Sequence, residues 1–170
     1  MLTRIFSEVG IKEFTVHIND RRILKAMAAA AGFAEADYDE VFILLDKMDK
    51  IGADGVKEAL KEKGYGQEKA DRYVSMFSLV TAEGSCSDFC AGAGIGGEDF
   101  GIPAQIDTIM QSVSGMIAKD VHLVFDPTLV RGMSYYTGTI FEITIDGYNF
   151  SIAGGGRYDE MIGRFMGQNT

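Results

Sequence analysis

Apolar positions along this chain change their period as it proceeds. Between residues 1 and 13, Ile5, Phe6 and Val9 form a partial 3.6-residue stripe, which predicts the tail of a helix. Phe14-Thr-Val-His-Ile18 then alternates and is rich in β-branched and aromatic residues, so it reads as a short strand. Asn19 and Asp20 offer capping side chains to a helix from Arg21 to Ala31, with Ile23, Leu24, Met27 and Ala31 on one face and Gly32 as its stop. Helical spacing resumes near Tyr38. Val41, Leu44, Leu45 and Met48 lead into Lys50-Ile-Gly52, and Asp54 opens a short helix through Val56 and Leu60 to Lys63. Gly64-Tyr-Gly66 breaks it, and a further helix carries Tyr73, Met76, Phe77 and Val80 on its buried side. Ile102 to Met116 repeats the pattern through Ile106, Ile109, Met110 and Val113.

The last fifty residues switch to a period of two. Val121-His-Leu-Val-Phe125 is a strand candidate, ended by Asp126-Pro127. His122 within it reads as a core or edge histidine. Thr139 to Ile145 alternates, Asp146-Gly147 predicts a two-residue hairpin turn, and Tyr148-Asn-Phe-Ser-Ile152 returns with Tyr148, Phe150 and Ile152 on one face. Asp159 to Met166 begins a helix. Residues 82–101 have six glycines and read as a mobile surface loop. The run from Gly92 to Gly97 lacks the preceding strand and following helix that a dinucleotide fingerprint requires.

Composition narrows the function classes. Hydrophobic residues make up 46% of the chain, enough for a core. Its 25 acidic and 16 basic residues give a formal charge of -9, which argues against a broad nucleic-acid-binding face. The amino terminus lacks the apolar run of a secretory signal, and no stretch is long and apolar enough to span a bilayer, so the cytoplasm is expected. Cys86 and Cys90 stand alone as a pair, far in sequence from His17 and His122, and read as incidental thiols rather than metal ligands.

Chemistry concentrates at Arg131-Gly-Met-Ser-Tyr-Tyr-Thr-Gly-Thr-Ile-Phe-Glu142 and at Ala153-Gly-Gly-Gly-Arg-Tyr158. A guanidinium keeps its charge and presents a rigid fork to a carboxylate or phosphate, so Arg131 either grips such a ligand or pairs on the surface. In extended backbone Tyr135 and Tyr136 would point to opposite faces, one donating a hydrogen bond and the other forming a wall. Glu142 faces either a cleft or solvent. Gly154, Gly155 and Gly156 let a ligand or a strand approach the backbone, or mark a bulge. Arg157 and Tyr158 close the rim, unless Arg157 pairs with Asp159 or Glu160.

These two motifs resemble those of histidyl-tRNA synthetases, which are class II aminoacyl-tRNA synthetases. The resemblance runs over Asp126–Glu142 and Ala153–Asp159, with weaker stretches at Val16–Leu24 and at Val41–Gly52. It implies an α+β fold: part of a class II antiparallel sheet with flanking helices and a small helical insertion. It divides the chain into residues 1–37 as the first part of a catalytic domain, 38–120 as a mostly helical insertion and 121–170 as histidine-binding strands. It implies an enzyme that activates L-histidine with ATP and Mg²⁺ as an adenylate and transfers it to tRNA(His), in a homodimer. Arg131 takes the place of the family's catalytic arginine, which stabilises charge at the α-phosphate and the histidine carboxylate. Tyr135 and Tyr136 correspond to the histidine-binding pair, Gly154–Gly156 to the pocket floor, and Tyr158 follows them. Ser134 stands where many members carry aspartate.

The family's first two signature motifs, including the dimer interface and an ATP-gripping arginine, should precede residue 1, and the third should follow Thr170. The resemblance therefore implies a 170-residue piece inactive alone, with no ATP or Mg²⁺ site of its own. Two other readings stand beside it: a synthetase-like regulatory subunit of ATP phosphoribosyltransferase, and a non-catalytic α/β interaction scaffold.

Overall fold

The computed structural model describes residues 5–6, 8–11, 13–80, 84–96, 100–117, 121–131, 135–145, 147–148 and 150–167, the side chains of residues 162, 164 and 165 excepted. Ser134 and Asp146, on which two of the expectations above fall, lie outside the described residues.

Strand β1 (Phe14–Asp20) runs directly into helix α1 (Arg21–Ala31). Asp20 sets the junction: its carboxylate accepts from the Arg22 backbone N–H at 2.9 Å and holds the Arg22 guanidinium on both oxygens. Gly32, with φ of 90°, ends the helix as expected of a glycine in the left-handed region. Helices α2 (Tyr38–Leu45), α3 (Met48–Glu62) and α4 (Gln67–Ser75) follow. Gly52 leaves helical geometry inside α3 (φ 69°, ψ 177°), so the segment carrying Val56 and Leu60 starts afresh after it. A 3₁₀ turn (Met76–Leu79) extends α4, and Val80 beyond it is exposed rather than buried.

Residues 82–101 depart from the expected loop. Ser85 and Asp88 form a reciprocal capping box that starts helix α5 (Cys86–Gly92), and Asp107 accepts the backbone N–H groups of Cys86 and Ser87. Phe89 is buried and packs against Phe125 in a tilted arrangement, with ring centroids 5.4 Å apart. The glycine count concealed a helix whose apolar face is Cys86, Phe89 and Cys90. Helix α6 (Ile102–Ser114) has Pro103 in its first turn, where a missing N–H costs nothing.

Strands β2 (Val121–Phe125), β3 (Thr139–Ile145) and β4 (Ser151–Gly156) complete a four-stranded sheet in the order β2-β1-β3-β4, and α7 (Met161–Met166) follows. β3 pairs antiparallel with β1 and β4, while β2 pairs parallel with β1, so the sheet is mixed. His122 lies exposed on the β2 edge. The hairpin between β3 and β4 is as expected, with Gly147 at φ +86°, but β4 begins three residues later than the alternation suggested. Tyr148 and Phe150 precede it, both exposed, with their rings 5.5 Å apart.

Register assigns the two faces of the sheet, because paired residues share a side. Phe14, Val16 and Ile18 lie opposite Ile145, Ile143 and Phe141 on one face. Thr15, His17 and Asn19 lie opposite Thr144, Glu142 and Ile140 on the other, and β4 adds Gly154 and Gly156 to that second face. One large apolar cluster spans α1 to α6 and reaches Val130, Tyr136 and Ile140. A smaller one surrounds Phe14, Val121 and Ile143. Arg21 is buried between α1 and α2, paired with Asp39 at 2.8 Å and 5.1 Å above the Phe42 ring.

Candidate functional site

The polar face of the sheet carries the site. After β2 the chain turns at Asp126, whose Oδ1 accepts from the Thr128 backbone N–H at 2.9 Å and from its hydroxyl at 2.6 Å. Asn19 on β1 donates to the Leu129 carbonyl at 3.1 Å. Leu129 and Val130 are buried, so the turn is clamped on both sides and delivers Arg131 over the sheet.

Arg131 lies where a side chain at Gly154 would be: a Cβ built there falls onto its guanidinium. Its Nη2 pairs with Glu142 Oε2 at 3.2 Å. Its Nε–H is buried and has no hydrogen-bond partner among the described residues. A donor in that state suits an acceptor brought by a ligand. Glu142 therefore faces the cleft and not bulk solvent.

The tyrosines differ from the expectation. They precede β3, so strand alternation does not apply to them. Tyr135 and Tyr136 have ring centroids 4.5 Å apart, and Tyr158 joins them at 6.4 Å from each. Tyr136 is buried, while Tyr158 stands at the exposed rim. A Cβ at Gly156 would come within 2.7 Å of the Tyr136 ring. Gly154 and Gly156 share a face, so the guanidinium and the phenol cluster lie on the same side of β4. Gly155 points the other way, toward Phe141 at 3.0 Å. Hydrogen bonding with Tyr135, then burial, raises the Tyr136 hydroxyl pKa, and the positive charge of Arg131 pulls it partly back. Arg157 does not enter: its Nε binds Asp159 at 2.6 Å and its side chain is exposed.

His17 was not singled out as a site residue by the sequence. His17 Nδ1 lies 3.0 Å from Asp126 Oδ2, and its Nε2 lies 3.0 Å from Thr144 Oγ1. The hydrogen bond to Asp126 raises the His17 pKa above its usual 6.5 against the opposing effect of burial. Alternation held the signal, since His17 occupies a polar-face position between Val16 and Ile18. Among the described residues no three His, Cys, Asp or Glu side chains converge as a metal site.

The histidyl-tRNA synthetase family model matches residues 1–170. A histidine–tRNA ligase of Leifsonia xyli subsp. xyli is 42% identical over 94% of this chain, which covers 38% of that relative. The crystal structure of histidyl-tRNA synthetase from Nostoc sp. PCC 7120 superposes with a TM-score of 0.82 at 28% identity, over 99% of this chain and 40% of that one. A Bacillus halodurans structure described as an ATP phosphoribosyltransferase regulatory subunit/histidyl-tRNA synthetase has a TM-score of 0.75 at 23% identity, over 97% of this chain and 42% of that one, and shares the fold. The chain thus spans well under half the length of these relatives.

Proposed function

From the premise that this chain belongs to the histidyl-tRNA synthetase family, we propose that its polar sheet face is the histidine-binding half of a histidine–tRNA ligase. One observation carries the reading. Arg131 and the three phenols share one side of a strand whose floor, Gly154 and Gly156, has no side chains. In this reading the guanidinium fork takes the histidine carboxylate and offsets charge on the α-phosphate as the carboxylate oxygen attacks it and pyrophosphate departs. Tyr135, Tyr136 and Tyr158 take the imidazole, by ring contact and by hydroxyl hydrogen bonds. Glu142 holds Arg131 in place between turnovers, and Arg157 with Asp159 fastens the rim.

The whole protein would use ATP, L-histidine and tRNA(His), in the cytoplasm, as a homodimer. Residues 38–120 would be its helical insertion, between catalytic segments 1–37 and 121–170. A protein of the relatives' full length should catalyse histidine-dependent ATP–pyrophosphate exchange. The R131A variant should lose most of that exchange. Histidine binding without exchange in the full-length protein would instead favour the regulatory-subunit reading, and no binding at all would favour a scaffold.

A further inference from the structure

The carboxylate of Asp126 serves two partners at once. Its Oδ1 closes the turn that aims Arg131, and its Oδ2 holds His17. His17 also sits directly across the β1–β3 ladder from Glu142, which is the residue that pairs with Arg131. The imidazole thus binds one support of the guanidinium, Asp126, through Nδ1, and lies on the same sheet face as the other, Glu142, while its Nε2 is taken by the Thr144 hydroxyl oxygen. Asp46 and Asp49, at the junction of α2 and α3, line the same small cleft of about 150 Å³ with His17, Asp126, Thr144 and Glu142. Every ionisable group lining that cleft other than His17 is a carboxylate.

We propose that His17 is a positioning residue for Arg131, acting through Asp126 and Glu142, and that its imidazolium form frees the guanidinium for a ligand carboxylate. The physical reason is competition for one anion. A protonated His17 shares the charge of Glu142, so Arg131 gives up less when it turns to a ligand. A neutral His17 leaves Glu142 to Arg131 alone, and the two bind each other more tightly. The same linkage works in reverse. A ligand carboxylate on Arg131 releases Glu142 toward His17 and makes the imidazole harder to deprotonate. Attraction from Asp126, Glu142 and Asp49 acts in the sense this scheme needs. The ligand part of this proposal rests on the histidine-binding reading above; the link between His17 and Arg131 does not.

The test is an NMR titration of the two histidine rings of the chain, with H122Q assigning them. His17 should titrate above 6.5. R131A should raise its midpoint by about half a pH unit or more, because Glu142 loses its other cation, and E142Q should lower it. L-histidine should raise the midpoint, while histidinol, which lacks the carboxylate, should not. In affinity measurements, histidine binding by the unaltered chain should weaken several-fold more between pH 6 and pH 8.5 than binding by H17N, which keeps a polar amide near Asp126 without a titrating ring. A role confined to stability would not move these midpoints. Identical His17 titrations in the unaltered chain, R131A and E142Q would overturn the proposal. Midpoints that respond to R131A and E142Q but not to histidine would uphold the positioning link and overturn the histidine-binding reading instead.

Discussion

Gly154 and Gly156 look alike in sequence and differ in what surrounds them. The space of a Cβ at Gly154 is taken by the free end of the Arg131 side chain, which can swing aside. At Gly156 it is taken partly by the Thr139 carbonyl at 2.8 Å, which is backbone and cannot. G154A should therefore fold with a melting temperature near that of the unaltered chain and lose histidine affinity by roughly tenfold to a hundredfold, the worth of about 1.5–3 kcal/mol of charge-assisted bonding. G156A should lose stability as well, by about 1–3 kcal/mol from overpacking. Calorimetry and thermal melts on both variants separate the two effects. His17 gives a second residue-scale expectation. Its proton is held more tightly in the folded chain, so its contribution to stability is full below about pH 6.5 and is lost as pH rises through its higher folded value. The Asp126 carboxyl is held below its usual range by His17 and Thr128, against burial, so its contribution is present above about pH 4 and is lost as pH falls through its lower folded value. D126N should flatten the melting profile in both windows. At this scale the sequence showed Arg131, Glu142 and the glycines as candidates. It did not show that the phenols cluster, because alternation predicts orientation only inside a strand and Tyr135 and Tyr136 lie before one.

Among the elements, β1, α1 and α6 were legible from their apolar spacing, and at α1 the end signals Asp20 and Gly32 agree with it. Helix α5 was hidden by neighbouring glycines, although Ser85 and Asp88 already stood three apart as a capping box. Its stability is held by polar contacts at its first turn. S85A should cost about 1 kcal/mol. D107A should cost more, since Asp107 serves two backbone donors and the Ser87 hydroxyl. Urea melts of both variants check the order. Strand β4 was misplaced for a different reason. Tyr148 and Phe150 imitate a strand face, but the ladder forms over Ser151–Gly156, where three glycines give a pattern search nothing to find. Its pairing with β3 from Ile140 to Thr144 defines that strand, and pairing is a long-range fact.

For the whole molecule, the chain matches its family from end to end while covering 38% of the Leifsonia relative. On the opposite face of the sheet, Val16, Ile18, Leu123, Phe141 and Ile143 form an apolar groove of about 450 Å³ with Ile109, Val113 and Met116 of the α6 region. The polar face holds a half-site with one cation, one carboxylate partner and three phenols. On the proposed reading, such a half-site binds histidine without activating it. The 170-residue chain should therefore show no ATP–pyrophosphate exchange above background, while the full-length protein does. The most direct check of the central claim is an NMR titration of L-histidine into the chain with its tyrosine rings labelled with ¹³C. The account predicts saturable shifts of the Tyr135, Tyr136 and Tyr158 rings that collapse in R131A and weaken with histidinol. Unmoved tyrosine rings at millimolar histidine, or equal shifts in R131A, would contradict it.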